Sequence, residues 1–228
     1  MENITLNQLA YRIMGLYRSI HKETDSLNIR MIKDWIHSAR AMLLKQRLDK
    51  PFAYIDENLV QTITPVPIED IDSSTLKEES SERKIMVTAI DIPPTINRRG
   101  QVECFTRIGP IDRLGQRYKM VSHEHALVAG NGKFNRKDIY AFRLGNRIAI
   151  KAKDINPKEK LDIKGVFQNP TQVPDFSDDG PYPINRELIE AMEDIIVKSK
   201  FPTTLIGYAD TKADEADNIV HTTERRKR

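Results

Sequence analysis

The stretch SLNIRMIKDWIHSARAMLLKQRL, Ser26 to Leu48, constrains the fold more than any other segment, because as a helix it carries apolar residues on more than one side. Ile29, Ile32, Ile36, Ala39 and Leu43 alternate steps of three and four and make one seam, while Met31, Trp35 and Met42 make a second, rotated about the axis. About 22 residues at about 1.5 Å each give a rod of roughly 33 Å. One seam can pack on a neighbouring helix as an antiparallel hairpin. The other needs a different partner, either the rest of the chain or another copy of it. The remaining face carries Arg30, Lys33, Asp34, His37, Arg40, Lys45 and Arg47 and is mostly basic.

The neighbouring helix is marked just upstream. Thr5 can cap a helix and Gln8 can return a bond to the Thr5 amide, with Ile4 and Leu9 at the staple positions. Leu6, Leu9, Ile13, Leu16, Tyr17 and Ile20 then form one buried stripe. Ser26 or Asn28 caps the second helix. Beyond Pro51 the period changes. LVQTIT reads as a strand, and Pro65 to Lys84, with its prolines, acids and serines, reads as an exposed acidic loop.

Residues 85 to 167 read as β-rich. IMVTAID, QVECFTRIG and KLDIKGVFQNP are strand-like, and DIPPTINRRGQ is a Pro-interrupted crossing. In KDIYAFRLGNRIAIKAKD, Leu144-Gly145-Asn146-Arg147 supplies a two-residue, Gly-first hairpin turn. Tyr140, Phe142 and Leu144 are expected on one face, matched by Ile148, Ile150 and Ala152 on the return strand. A surface crossing follows, and Asn185 is expected to cap a third helix with Ile184, Leu188, Ile189, Met192, Ile195 and Ile196 as its stripe, ended by Phe201-Pro202.

The fold class is therefore α+β: a helical hairpin over 1–50, a β-rich insertion over 51–167 with the acidic loop at 65–84, a crossing and third helix over 168–202, and an extended tail over 203–228. The three helices are expected to form a helical core from which the β part projects, with arms and tail extended.

The chemistry of an enzyme is not evident. GNGK at Gly130 to Lys133 lacks the upstream glycine and the hydroxyl of a phosphate-binding loop. His123-Glu124-His125 would put two imidazoles on one face of a strand, but no third ligand stands at a recognised spacing. Glu82-Arg83-Lys84 has the acid-x-Lys form of some metal nucleases without an upstream Asp on a strand. No metal and no cofactor is expected. The single Cys104 excludes an intrachain disulfide and reads as a packed apolar residue. No window approaches the roughly 18 apolar residues of a membrane span, and no secretory leader is seen at the N-terminus.

With 36 basic and 33 acidic side chains the net charge is +3, so any affinity for nucleic acid must come from local clusters. Arg98 and Arg99, with Arg107, Arg113, Arg117 and Lys119, form the basic middle region, and ERRKR closes the chain. A helix-turn-helix DNA-binding regulator is the alternative reading of the first two helices, although the connection from His21 to Asn28 is longer than that motif's turn.

The order of these segments carries a resemblance. MENITLNQLAYRIM, SLNIRMIKDWIHSARAMLLKQ, PPTI…FTRIGPID, VAGNGKF…AFRLGNRIAI, GVFQNP and PYPINRELIEAMEDIIV together resemble the neck proteins of crAss-like short-tailed bacteriophages, over roughly residues 1 to 202. Those proteins look like head-to-tail adaptors that form rings under the portal. The resemblance implies a non-enzymatic virion structural protein of the neck or tail, assembled in the host cytoplasm and joining portal to tail around the DNA channel. It implies a homo-oligomeric ring, by analogy a dodecamer, in contact with the portal protein, with other neck or tail rings and, without sequence preference, with passing DNA. Met31, Trp35 and Met42 would then pack against the next subunit. Leu205, Tyr208, Ile219, Arg225 and Arg226 of the tail would meet the portal, and Arg98, Arg99, Arg113 and Arg117 would face the channel.

Overall fold

A computed structural model describes residues 4–20, 27–71, 84–98, 102–128, 138–152, 156 and 158–201. In chain order the elements are α1 (Leu6–Ile20), α2 (Ile29–Leu48), β1 (Gln61–Asp70), β2 (Lys84–Thr88), β3 (Asn97–Arg98), β4 (Val102–Glu103), β5 (Phe105–Pro110), β6 (Lys119–Met120), α3 (His123–Val128), β7 (Tyr140–Leu144), β8 (Arg147–Ala152), β9 (Lys160–Gly165) and α4 (Ile189–Lys200). Single 3₁₀ turns lie at Glu57–Leu59, Pro170–Gln172 and Arg186–Leu188. The class is α+β.

The start of α1 is built as its sequence dictates. Thr5 Oγ1 accepts from the Gln8 amide at 3.1 Å and Gln8 Oε1 accepts from the Thr5 amide at 2.9 Å, so two backbone donors that the helix leaves unpaired are satisfied reciprocally by side-chain oxygens. At α2 the cap is Asn28, whose Oδ1 accepts from the Arg30 amide at 2.9 Å. Leu6, Leu9, Ala10 and Ile13 of α1, Ile32, Ile36 and Ala39 of α2, and Ile189, Met192 and Ile196 of α4 share one apolar cluster with Tyr182 and Ile184. Leu16, expected in the buried stripe, is exposed, and Ala10 takes a place in the cluster instead. A small residue lets α1 sit close to its neighbours, whereas the bulkier Leu16 lies beyond them.

Asn185 does not cap the C-terminal helix through its side chain. That side chain donates to Asp56 Oδ2 at 2.9 Å, and one 3₁₀ turn intervenes before α4 begins. The tertiary bond to the loop after α2 competes with the local cap.

Seven strands form a sheet in the order β5-β9-β1-β2-β8-β7-β6, with β6–β7 the one parallel pair. The sheet curls until its edges meet, where the Tyr118 amide donates to the Ile108 carbonyl at 2.7 Å. Gly109 permits that approach: a Cβ there would lie 2.4 Å from the Gln116 carbonyl oxygen. The interior is filled by Ile63, Val66, Met86, Ile148, Ile150, Leu161, Ile163 and Phe167 among others. The result is a nearly closed barrel.

Three expectations are corrected here. The segment from Pro65 does not leave the fold as a loop, because β1 continues to Asp70: Gln61–Pro67 pair with β9 and Ile68–Asp70 with β2. Val66 and Ile68 alternate inward, and the acids Glu69 and Asp70 sit at the exposed end. The rest of the acidic segment, 72–83, lies outside the described residues. QVECFTRIG is not one strand, since β4 and β5 part at Cys104, whose side chain is buried as a small apolar group.

The hairpin forms as expected, with Gly145 at φ +60° and Leu144 opposite Arg147, but its faces are offset by one residue. Ala141 pairs with Ile150 and Phe142 with Ala149, so Ile148 and Ile150 share the barrel interior with Ala141, while Phe142 and Ala149 face outward beneath α3. Directly opposed residues project to the same side of a sheet. The two-residue turn dictates this parity, because Leu144 opposite Arg147 places Phe142 opposite Ala149 and Ala141 opposite Ile150.

Candidate assembly surface

One element joins the two halves of the molecule. The first turns of α2 pack in the helical cluster, and its last turn places Leu44 and Leu48 against Leu59, Ile96, Cys104 and Val166 on the barrel side. Between them His37 and Arg40, read from the sequence as part of a basic face, are buried. Arg40 is 0% exposed. Its Nε donates to the Pro183 carbonyl at 2.7 Å and its Nη1 to the carbonyls of Phe167 at 2.9 Å and Gln168 at 3.4 Å. The guanidinium carbon stands 5.8 Å from the Tyr182 ring centroid. One side chain therefore ties α2 to the end of the barrel and to the crossing before α4.

Burial pulls the Arg40 guanidinium down to about 10, which leaves it cationic at neutral pH. His37 Nδ1 lies 2.9 Å from the Tyr182 hydroxyl. Burial first, and the Arg40 charge second, hold His37 at about 4, so the imidazole is neutral at pH 7. The phenol of Tyr182 is pushed up by its own burial. Residues 37, 40, 44 and 48 continue steps of three and four, a periodic signal that polar residue types concealed.

The apolar residues left exposed on α2 are Met31, at 40%, and Met42, at 42%, set among the exposed polar residues Arg30, Asp34, Ser38, Lys45 and Gln46. Trp35 does not stand free beside them. Its ring packs edge-on to Phe201 with centroids 6.5 Å apart, and Tyr17 meets the same Phe201 at 5.1 Å. Sequence reasoning missed the feature at the helix end. Lys50 to Ala53 form a β-turn, with the Ala53 amide donating to the Lys50 carbonyl at 3.2 Å, and Phe52 holds its third position at φ +59°. Phe52 is 103% exposed and Tyr54 75%.

The basic residues are not brought into one patch. Arg113 and Arg117 share an exposed turn between β5 and β6. Arg107 is spent inside that turn, donating to the carbonyls of Pro110 and Leu114 and facing Asp162 Oδ2 at 3.4 Å. Lys119 pairs with Asp138 at 2.6 Å. Arg98 lies elsewhere, half-buried, with Nε donating to the Leu48 carbonyl at the end of α2. Arg99 and the tail residues Leu205, Tyr208, Ile219, Arg225 and Arg226 lie outside the described residues.

His123 and His125 are on a helix rather than a strand, where a two-residue step turns side chains about 200° apart instead of onto one face. Ser122 engages His125, and the His123 ring lies 5.5 Å from that of Phe142. Among the described residues no group of three or more His, Cys, Asp or Glu is placed to hold a metal ion. Within the same residues no helix is long and apolar enough to cross a membrane. A cleft of about 1080 Å³ opens between the start of α1, the 56–61 segment and the start of α4, with Arg12, Arg47, Asp56, Glu57 and Glu190 on its walls. Arg47 pairs with Glu187 across it.

The described residues thus hold a joint of buried polar groups on α2 and, along and beyond the same helix, the exposed apolar side chains Met31, Met42, Phe52 and Tyr54. The family model described as Phage tail ring protein 2, of the crAss ring group, matches residues 8–219, and the chain belongs to that family. It is thus a structural component of a bacteriophage tail, of a kind that forms rings. A comparison with curated proteins gives no match.

Proposed function

We propose that the chain is the repeating subunit of a head-to-tail connector, a neck ring that continues the DNA channel below the portal and presents a platform to the next ring. The observation that carries this reading is α2: a strut fixed at both ends by buried contacts, with Met31 and Met42 left exposed on it, within a chain that belongs to a tail ring family. Met31 and Met42, eleven residues apart, fall on one side of α2, and a ring subunit needs apolar surface for the next copy. Met31 and Met42, with the outer edge of Trp35, are the proposed packing residues.

The ring is proposed to hold twelve copies and to do no chemistry. The segment 203–228 is the proposed portal grip, through Leu205, Tyr208, Ile219, Arg225 and Arg226. The channel wall is proposed to include the turn bearing Arg113 and Arg117, together with Arg98 and Arg99, in contact with DNA that is unspecific and screened by salt. Assembly would proceed in the host cytoplasm. Against a DNA-reading role for the first two helices stands the burial of His37 and Arg40, two of the residues of the basic face, which leaves Arg30, Asp34, Ser38 and Lys45 exposed beside Met31 and Met42.

The test is the native mass of the full chain, alone and mixed with the portal protein of the same phage. A closed multiple, formed alone or on adding portal, is expected. A chain that stays monomeric or dimeric in both conditions overturns the connector.

A further inference from the structure

A ring made of one kind of chain repeats a head-to-tail contact, so each subunit must carry two different, complementary patches. The Met31 and Met42 face supplies one. From the turn after α2 we infer that the second is an aromatic knob, Phe52 with Tyr54, which seats against Met31 and Met42 of the next copy. This inference rests on the ring reading above and names the other half of its interface.

The knob is unusual in two independent ways. Pro51 occupies the second position of the Lys50–Ala53 turn and suits it, but the third position takes a positive φ that normally selects Gly or Asn. Here it holds Phe52 at φ +59°, a left-handed conformation that a bulky residue adopts at a cost. The ring so displayed is also entirely exposed, with no contact among the described residues to offset that cost. Tyr54, two residues on, is exposed beside it. A chain that bears both penalties at one residue gains from them only when a partner covers the ring.

The partner's chemistry follows from what the same chain exposes. Methionine is flexible and polarizable and makes favourable contacts with aromatic edges, so a pair of exposed methionines accepts an aromatic side chain without needing a preformed pocket. The two patches also sit apart on the subunit. Met31 is near the start of α2, Met42 in its second half and Phe52 past its end, so the methionine face and the knob are separate surfaces of one subunit.

Glycine at position 52 separates the knob's role from folding, because it relieves the backbone while deleting the ring. Phe52→Gly is expected to leave the thermal midpoint of the subunit unchanged or raised and to weaken ring assembly at least tenfold in concentration, with Phe52→Tyr assembling like the parent. Cross-linking tests the pairing directly, since Cys104 is the chain's one cysteine and is buried. Chains carrying Phe52→Cys, mixed with chains carrying Met42→Cys or Met31→Cys, are expected to give a disulfide dimer on oxidation at protein concentrations high enough to offset the assembly lost with the Phe52 ring.

If the parent forms rings, a Phe52→Gly variant that assembles at the parent's concentration, with no cross-link to either methionine position, overturns the knob alone. A parent that never assembles, with or without portal, overturns the ring reading on which it depends.

Discussion

Arg40 shows how a residue read as surface becomes the centre of a joint. Its guanidinium satisfies three backbone carbonyls that no other described side chain reaches, so its value lies in directed donors as well as in charge. Arg40→Met keeps the bulk and leaves those acceptors unpaired; we expect a loss of about 3 kcal/mol in urea unfolding, with Arg40→Lys recovering only part of it. His37 beside it makes stability depend on pH. The unfolded imidazole takes its proton near pH 6.5 and the folded one near 4, so between those values the unfolded chain binds more protons and stability falls as pH drops. Arg40 and Lys33 oppose the imidazolium, Asp34 and Asp178 favour it, and burial outweighs all of them. Roughly 2 kcal/mol is expected to be lost between pH 7 and pH 4 through this group. His37→Gln should flatten that part of the profile. Glu193, whose carboxyl is pushed up by burial, acts with the opposite sign in both proteins and cancels in the comparison. Neither burial was legible, because composition assigns His and Arg to solvent unless a partner is known.

At the scale of elements, local chemistry decided what it could decide. The capping box at Thr5, the α2 cap and the Gly145 turn each concern atoms within a few residues; the first and last formed as read, and of the two candidate caps of α2 the structure uses Asn28. The β7–β8 parity was already set by the two-residue turn, which puts Leu144 opposite Arg147 and hence Phe142 opposite Ala149, whereas the continuation of β1 past Pro65 depends on strands distant in sequence. The closing seam of the barrel is of that second kind. Gly109→Ala places a Cβ against the Gln116 carbonyl, and the backbone there must yield. A loss of about 1–3 kcal/mol is expected. Hydrogen exchange should locate it, with the Tyr118 amide, which donates to Ile108, losing protection before the amides of the β7–β8 ladder. Equal loss across all strands would show that the seam is not a separate unit.

For the whole molecule, α2 makes the helical cluster and the barrel one body, since Ile32 and Ile36 anchor it in the first and Leu44 and Leu48 in the second. Leu44→Ala should therefore cost roughly 3 kcal/mol and separate one unfolding transition into two in calorimetry. Met42→Glu tests the opposite side of the same helix. It should change monomer stability by no more than about 0.5 kcal/mol. Its effect should appear in assembly, as a native mass that stays low at concentrations where the parent has formed rings.

By itself the sequence determined the first two helices and their starts, the presence of the C-terminal helix, the hairpin turn, the β-rich middle and the presence of apolar residues on more than one side of Ser26 to Leu48. These rest on periodicity and on bonds between near neighbours, which the order of residues states directly. Only the tertiary structure decided which polar side chains of α2 are buried, how the sheet closes on Gly109, and that the exposed aromatic of greatest reach is Phe52. The reason is physical: burial of Arg40 depends on carbonyls at 167, 168 and 183, and the exposure of Phe52 on a backbone angle that its residue type disfavours.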